Sequence, residues 1–560
     1  MKIYLAQQNY HIGNFESNVQ KIIVAINKAK ADKADLIVFS EMSVCGYPAR
    51  DFVEFSDFIN KCYDAIDEIK MHADTIGVLV GSPARNPNVK GKPLFNAAFF
   101  LYEQKILAEV HKTLLPTYDV FDEYRYFEPA FEWDVVKFKG KKIAITICED
   151  IWNLGNNPLY RVCPMDLLMH QSPDFMVNLS ASPFDYTHDE TRKAVAKANV
   201  AKYQLPMFYC NAVGSQTEIV FDGSSLVFDK YGNLCKLFPA FKEAVEGVIL
   251  NNDGTIKSSV LEPYSPIPEP AINDGTLDEN LNTHEIYDAL ILGIKDYFVK
   301  MGFTKAILGS SGGIDSAVVL ALACDALGSE NVRAILMPSP YSSSHSVDDA
   351  VALSKNLNNP YDIIRINDVY ESFLHTLEPV FNGLPFSLAE ENVQSRTRGN
   401  LLMAIANKFG YILLNTSNKS ELSTGYGTLY GDMAGGVGVL GDCYKLQVYA
   451  LAKYINREKE IIPSHIIAKA PSAELRPNQK DSDNLPDYEV LDRILFQYIE
   501  NRLGPAEIKA QGFDAAIVDR TIKLVNNNEY KRNQFCPIIR ISPKAFGVGR
   551  RVPIVGKYLS

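Results

Sequence analysis

The stretch Gly309-Ser310-Ser311-Gly312-Gly313-Ile314-Asp315-Ser316 decides how the second half of the chain folds. Before it, Lys305-Ala306-Ile307-Leu308 is a short apolar run that predicts a buried strand. After it, Ala317-Val318-Val319-Leu320-Ala321-Leu322-Ala323 predicts a buried helix. A glycine- and serine-rich loop between strand and helix lets backbone N–H groups converge on a phosphate. Glycine permits the close approach, and the helix N-terminus presents its positive dipole end. Two common phosphate loops are excluded. No Gly-Lys-Ser/Thr follows the glycines, and their spacing is not that of a dinucleotide fingerprint. The bland alternative is an ordinary strand–helix turn with a helix-capping serine.

Working outward, Val332 to Met337, Asp362 to Ile366 and Tyr411 to Leu414 predict further strands between helical stretches. That alternation predicts a parallel sheet with the loop at its C-terminal edge. Toward the N-terminus, Thr283 is the expected N-cap of a helix that sets Ile286, Leu290, Ile294, Tyr297 and Phe298 on one face. Before it, Leu261-Glu262-Pro263-Tyr264-Ser265-Pro266-Ile267-Pro268-Glu269-Pro270 is too proline-rich for a regular element. The expected division is a domain of residues 1–260, a linker of 261–282 and a domain of 283–560.

The first domain also alternates. Strands are predicted at Ile3 to Ala6, Leu36 to Phe39, Ile76 to Val80, Ala97 to Leu101, Ile106 to Val110, Ile143 to Ile147, Phe175 to Leu179 and Met207 to Asn211. Helices are predicted at Asn14 to Lys30 and Glu190 to Tyr203. The expected class is α/β, with two sheets sandwiched between helices. Three polar residues each follow a buried strand: Glu41, Lys112 and Cys148. Strand ends are where α/β proteins build sites. The three suit an amidase, with Cys148 as nucleophile, Glu41 as proton acceptor, and Lys112 holding the oxyanion and lowering the thiol pKa. Singly, the cysteine reads as a buried structural thiol and the charges as solvated strand ends.

Composition sets the outer bounds. The chain has 560 residues, of which 47% are hydrophobic, so two or three globular domains are expected. No apolar run approaches the roughly 18 residues of a membrane span, and the N-terminal segment turns polar at once. Nine scattered cysteines without a Cys-x-x-Cys pair point to a reducing compartment, and a cytoplasmic location is expected. A net charge of −11 argues against a nucleic-acid coat.

The octapeptide resembles the pyrophosphate-binding loop of the N-type ATP pyrophosphatases, which adenylate a carboxylate or carbonyl oxygen. In such a loop the serines and backbone amides hold the leaving pyrophosphate, and Asp315 suits its magnesium. In the first domain, Ser40-Glu41-Met42-Ser43-Val44-Cys45-Gly46-Tyr47-Pro48, His111-Lys112-Thr113-Leu114-Leu115-Pro116 and Ile147-Cys148-Glu149-Asp150-Ile151-Trp152 occur in order. They resemble the nitrilase or carbon–nitrogen hydrolase family, whose fold is an α-β-β-α sandwich. Further words follow in the second half: Glu391 to Arg398, Asn415 to Glu421, Tyr430 to Gly436, Asp442 to Lys445, Pro471 to Leu475 and Glu529 to Arg532. Taken together, the two halves resemble the glutamine-dependent NAD+ synthetases.

The resemblance implies a nitrilase-like glutaminase joined to a Rossmann-like ATP pyrophosphatase domain. Glu41, Lys112 and Cys148 would be catalytic, with Glu128 the second glutamate that supports the lysine. Tyr118 and Ser182 would bind glutamine. His188 stands where the family often has Lys or Arg, so His188 or Arg192 would meet the glutamine carboxylate. Gly309, Ser310, Ser311, Gly312, Gly313, Ile314, Asp315, Ser316, Thr416, Lys445 and Ser472 would bind ATP. Asp315 and Glu421 would hold Mg2+. Asn392, Arg396, Glu421 and Lys531 would contact deamido-NAD+. Leu429 and Gly436 replace the lysine and aspartate of ammonia-only synthetases, a role Asp432 could share. The Tyr430–Gly436 loop, with three glycines, is expected to be flexible. Partners are small molecules, with neither nucleic acid nor membrane, and a homo-oligomer is expected. Two other readings remain: a related ligase acting on a different nucleotide or on tRNA, and a non-catalytic nucleotide sensor fused to an amidase.

Overall fold

The computed structural model describes residues 1–88, 90–154, 159–257, 277–472, 474–476 and 479–559. Most of the expected linker, 261–276, lies outside them. The chain forms two compact units, Met1–Ala271 and Ile272–Ser560.

Two sheets face each other in the first unit. One has the order Ile256–Lys257, Ala244–Leu250, Lys2–Gln7, Leu36–Phe39, Gly77–Arg85, Leu94–Tyr102, Lys105–His111. Its three central strands run parallel, and antiparallel strands flank them. The other has the order Leu234–Leu237, Leu226–Phe228, Met207–Asn211, Phe175–Ser180, Lys141–Ile147, Val136–Phe138. Strand alternation explains the layers. Ile3, Leu5, Val38 and Leu79 pack against Ile145, Val177 and Phe208 between the sheets. Tyr4, Ala6, Ile37 and Phe39 point the other way, onto Ile22, Ile26, Ile66 and Ile69 of the helices Phe15–Ala31 and Ser56–Lys70. Ala196 and Val200 of the helix His188–Tyr203 cover the outer face of the second sheet. This is the α-β-β-α sandwich. The short strands Val136–Phe138, Leu226–Phe228 and Leu234–Leu237 carry too few residues for periodicity to reveal them.

In the second unit five strands are all parallel, in the order Tyr361–Ile363, Val332–Leu336, Ala306–Gly309, Ile412–Asn415, Val437–Gly438. The octapeptide leaves the C-terminal end of the middle strand and enters the helix Ile314–Leu327. That helix is apolar all round because the structure buries it all round: Ile314 and Ser316 to Cys324 are all buried. The helix expected after the linker is Thr283–Met301, with Asn282 rather than Thr283 in the N-cap position.

Candidate active sites

Both sites stand at strand ends. In the first unit Leu36–Phe39 delivers Glu41, Lys105–His111 delivers Lys112, and Lys141–Ile147 delivers Cys148. All three side chains are buried. The Lys112 ammonium donates to Glu41 Oε1 and to Glu123 Oε1, each at 2.8 Å. Asn96 Nδ2 donates to Glu41 Oε1 at 2.7 Å and to Glu123 Oε2 at 3.2 Å. The Ala181 amide donates to Glu41 Oε2 at 3.0 Å, and the Tyr47 hydroxyl to Glu123 Oε1 at 2.8 Å. Desolvation works against the lysine's charge, but two carboxylates on one ammonium hold its pKa well above the usual value. Burial, opposed by Lys112, pushes Glu123 up to about 7.

The second glutamate at the lysine is therefore Glu123, not Glu128. Glu128 Oε2 accepts the backbone N–H of Lys92 at 2.7 Å and caps a surface turn. The two glutamates lie in one loop, and only the reach of the folded chain tells them apart.

Cys148 has a left-handed backbone, φ 43°, at the first position after the strand. Burial and the charge of Glu41 push its thiol well above the ordinary value, with Lys112 opposing. The expected lowering by Lys112 is thus outweighed: the thiol rests neutral and needs a base. Asp150 fixes the relative placement of nucleophile and lysine. Its Oδ1 accepts the N–H groups of Thr113 and Leu114, the two residues after Lys112, at 3.0 and 2.8 Å. Its Oδ2 accepts the Ile147 N–H at 3.0 Å. Burial pushes this carboxyl up to about 7.

Beside Cys148, Glu149 is buried and accepts the hydroxyls of Tyr118 at 2.9 Å and Tyr160 at 3.1 Å. Desolvation raises its pKa. Sequence reasoning passed over Glu149, although it adjoins the nucleophile in the quoted word. Ser182 Oγ meets His188 Nε2 at 2.9 Å, and the His188 ring stacks on Trp152. Arg192 does not reach the site: both its terminal nitrogens are held by Asp222, at 2.7 and 2.8 Å, in a buried pair.

In the second unit a cavity of about 730 Å³ opens at the C-terminal edge of the parallel sheet. Gly309, Ser310, Ser311, Gly313, Ile314, Asp315, Ser316, Thr416, Lys445, Ser472, Asn392, Arg396, Glu421 and Lys531 all line it. Gly312 instead turns the loop. Its φ is +76°, and a Cβ there would fall 2.2 Å from the Ser346 carbonyl oxygen, so glycine is required. Among the described residues no side chain caps the helix Ile314–Leu327, which leaves its first N–H groups for a ligand. Ser310 Oγ is buried with no hydrogen-bond partner among the described residues.

Lys445 Nζ stands 2.5 Å from Asp315 Oδ2 and 4.0 Å from Glu421 Oε1. Asn418 ties the two acids together: Nδ2 donates to Asp315 Oδ1 at 2.9 Å, while its backbone N–H donates to Glu421 Oε2 at 3.2 Å. Burial, reinforced by the Asp315 charge, pushes the Glu421 carboxyl well above the usual range.

The remaining expected binding residues also fall around the cavity. Lys531 Nζ donates to the carbonyls of Gly425 and Gly427 at 2.7 and 2.8 Å. Arg396 Nε donates to the Leu429 carbonyl, and Asn392 accepts from Thr428. Ser472 Oγ donates to the Gln479 carbonyl. The glycines of Tyr430–Gly436 allow close packing. A Cβ at Gly431 would lie 2.3 Å from Ser395 Oγ, and one at Gly435 2.8 Å from Asn415 Cβ. Asp432 is spent on that loop, accepting the Thr428 N–H at 2.6 Å.

Comparison with known proteins follows the same division. Residues 2–250 match the carbon–nitrogen hydrolase family, and residues 286–535 match the NAD synthase family. The glutamine-dependent NAD(+) synthetase of Synechocystis sp. is 42% identical over 559 residues, covering 99% of this chain and 98% of the relative. The chain belongs to the glutamine-dependent NAD+ synthetases. A second member, from Thermotoga maritima, is 40% identical and covers 100% of this chain and 99% of its own length. The solved structure of the glutamine-dependent NAD+ synthetase from Acinetobacter baumannii in complex with ADP superposes with a TM-score of 0.77. It is 38% identical, covering 100% of this chain and 99% of that one. Family membership makes the chain a ligase of NAD biosynthesis with a nitrilase-like glutaminase.

Proposed function

We propose that residues 1–260 release ammonia from glutamine and residues 283–560 use it to amidate deamido-NAD+. The overall reaction consumes ATP and glutamine and yields NAD+, AMP, pyrophosphate and glutamate. One observation carries the division of labour: a single chain holds a buried Glu41–Lys112–Glu123 cluster acting on Cys148, and a polar cavity rimmed by a phosphate loop.

At the first site Glu41 takes the proton of the neutral Cys148 thiol as sulfur attacks the glutamine carboxamide. Lys112, held protonated by its two glutamates, faces the developing oxyanion. Glu41 returns the proton to the leaving ammonia, and water then clears the glutamyl thioester. Tyr118, Glu149, Ser182 and His188 hold the amino-acid end of glutamine, a zwitterion that suits one buried carboxylate and one imidazole.

At the second site the octapeptide, Thr416, Lys445 and Ser472 bind ATP, and Asn392, Arg396, Glu421 and Lys531 bind deamido-NAD+. Mg2+ would be held by Asp315 and Glu421. The fit lies in their mutual repulsion, which a hard dication relieves, and the ion would neutralise pyrophosphate. The nicotinate carboxylate attacks the α-phosphorus, pyrophosphate leaves, and ammonia displaces AMP from the acyl adenylate. A carboxylate is a poor acyl donor, which is why adenylation precedes amide formation.

A homo-oligomer and a cytoplasmic setting complete the proposal. Exposed Val380, Leu384, Phe386 and Leu388 offer an apolar surface for self-association, and the nine cysteines are all free. No helix among the described residues is long and apolar enough to cross a membrane.

The test offers deamido-NAD+, xanthylate and tRNA in parallel with ATP, magnesium and amide-15N-glutamine. Labelled NAD+ should form, with AMP, pyrophosphate and glutamate in equal amounts. Label appearing in xanthylate or tRNA instead would transfer the activity to the rival ligase reading.

A further inference from the structure

The cavity of the second unit holds five cationic side chains: Arg396, Arg398, Lys445, Lys469 and Lys531. Four are accounted for. Lys445 is paired with Asp315, and Lys469 Nζ with Glu474 Oε1 at 2.7 Å. Lys531 donates to two carbonyls, and Arg396 is exposed at the rim. Arg398 differs from these. It is only two residues from Arg396 on the helix Leu388–Phe409, so the two side chains diverge by about 200°. Its Nε donates to the Met337 carbonyl at 3.1 Å. Among the described residues no carboxylate pairs with it; Asp432 and Glu474 act on it only through space. Desolvation pulls its pKa down, as expected of a partly buried guanidinium without a paired counter-ion. A guanidinium carries five N–H donors, and one is spent here.

Its position is well defined. Met337 follows the strand Val332–Leu336, whose Ile335 carbonyl accepts the N–H of Ser310 at 2.9 Å, where the phosphate loop begins. Leu402, one helical turn beyond Arg398, packs on the same place: a Cβ at Gly309 would touch Leu402 Cδ1 and Met337 Cε at 3.4 Å. Arg398 therefore lies beside the strand end from which the loop leaves. If pyrophosphate sits over the helix N-terminus, the next phosphate of ATP falls on the strand side.

We propose that Arg398 binds the α-phosphate of ATP through its two terminal nitrogens and meets the charge that builds there as the nicotinate carboxylate attacks. The new bond is carboxylate oxygen to α-phosphorus. The bond that breaks is α-phosphorus to the bridging oxygen, whose electron pair leaves with pyrophosphate. Arginine suits this place because its planar fork matches two phosphate oxygens at once. The assignment rests on the ATP reading of this cavity.

Three probes separate the possibilities: AMP carries only the α-phosphate, adenosine none, and pyrophosphate only the leaving group. Calorimetric titration of the full chain should show Arg398→Gln binding AMP about tenfold to a hundredfold more weakly than the unaltered chain. Adenosine and pyrophosphate affinities should be unchanged. Arg398→Lys, which keeps the charge but not the fork, should recover part of the loss and serves as the test if the glutamine variant is poorly folded. Unchanged AMP affinity in these variants, or equal losses for AMP and adenosine, would overturn the proposal. An unaltered chain that binds none of the three probes would overturn the ATP reading itself. ATP–pyrophosphate exchange gives the second readout: kcat should fall more than KM for ATP rises.

Discussion

The two sites of this chain solve opposite electrostatic problems. In the glutaminase site the buried cation is matched before any ligand arrives: Lys112 has two carboxylates. In the synthetase unit, among the described residues, Ser310 Oγ has no partner and Arg398 no carboxylate, and Lys445 rests on an acid also assigned to magnesium. The substrates explain the difference. Glutamine is a small zwitterion, so its site can be finished in advance. ATP and deamido-NAD+ are large and polyanionic, and the donors left open in the cavity await their oxygens. A preorganised covalent site and a cavity with open donors should therefore fail in different ways.

The largest expected contrast is Cys148→Ala. Glutamine-driven synthesis should fall on the order of 10⁴-fold or more, since loss of a nucleophile removes a whole mechanism. Synthesis from high ammonium should persist. Loss of both in a folded variant would merge the two sites. Asp315→Asn and Glu421→Gln break the comparison from the other side: synthesis should drop about tenfold to a hundredfold with either nitrogen source. A variant with unchanged rate and magnesium dependence would lose its place in the metal assignment.

Smaller, and sharper, is the pair Glu123→Gln and Glu128→Gln. The first takes one of two anions from a buried ammonium and should cut glutamine hydrolysis at least tenfold, because an undercompensated buried charge is costly. The second touches only a turn and should stay within about twofold. Reversed results would restore Glu128 as the lysine's partner.

The smallest effect concerns pH. The folded pKa of Asp150 is raised, so the folded state holds that proton more tightly than the unfolded chain. Its contribution to stability is fully present below about pH 4 and is lost as pH rises through about 7. Melting of the chain followed from pH 5 to 8 should show a decline that Asp150→Asn flattens. An identical slope in that variant would place the titration elsewhere.

The framework was readable from sequence where a local string determines the geometry. The octapeptide, the strands of the two sandwich sheets, and the trio Glu41, Lys112 and Cys148 each depend on neighbours in sequence. Glu123, Glu149 and Arg398 depend on contacts across 11, 31 and 61 residues, respectively, to Lys112, Tyr118 and Met337. Nothing in their immediate surroundings separates Glu123 from Glu128, or Arg398 from Arg396. The 430–436 glycines were visible in the sequence, but the close neighbours that require glycine, Ser395 and Asn415, lie on other elements.

The backbone of Cys148 has a consequence for how this protein evolves. A residue with a side chain held at φ 43° pays a conformational penalty of about 1–2 kcal/mol that glycine would avoid. Glycine there would also erase the nucleophile. Relief of that penalty is therefore closed to this position for as long as nitrogen is taken from glutamine. In a lineage living on abundant ammonium that constraint would lapse, leaving a chain with one working site.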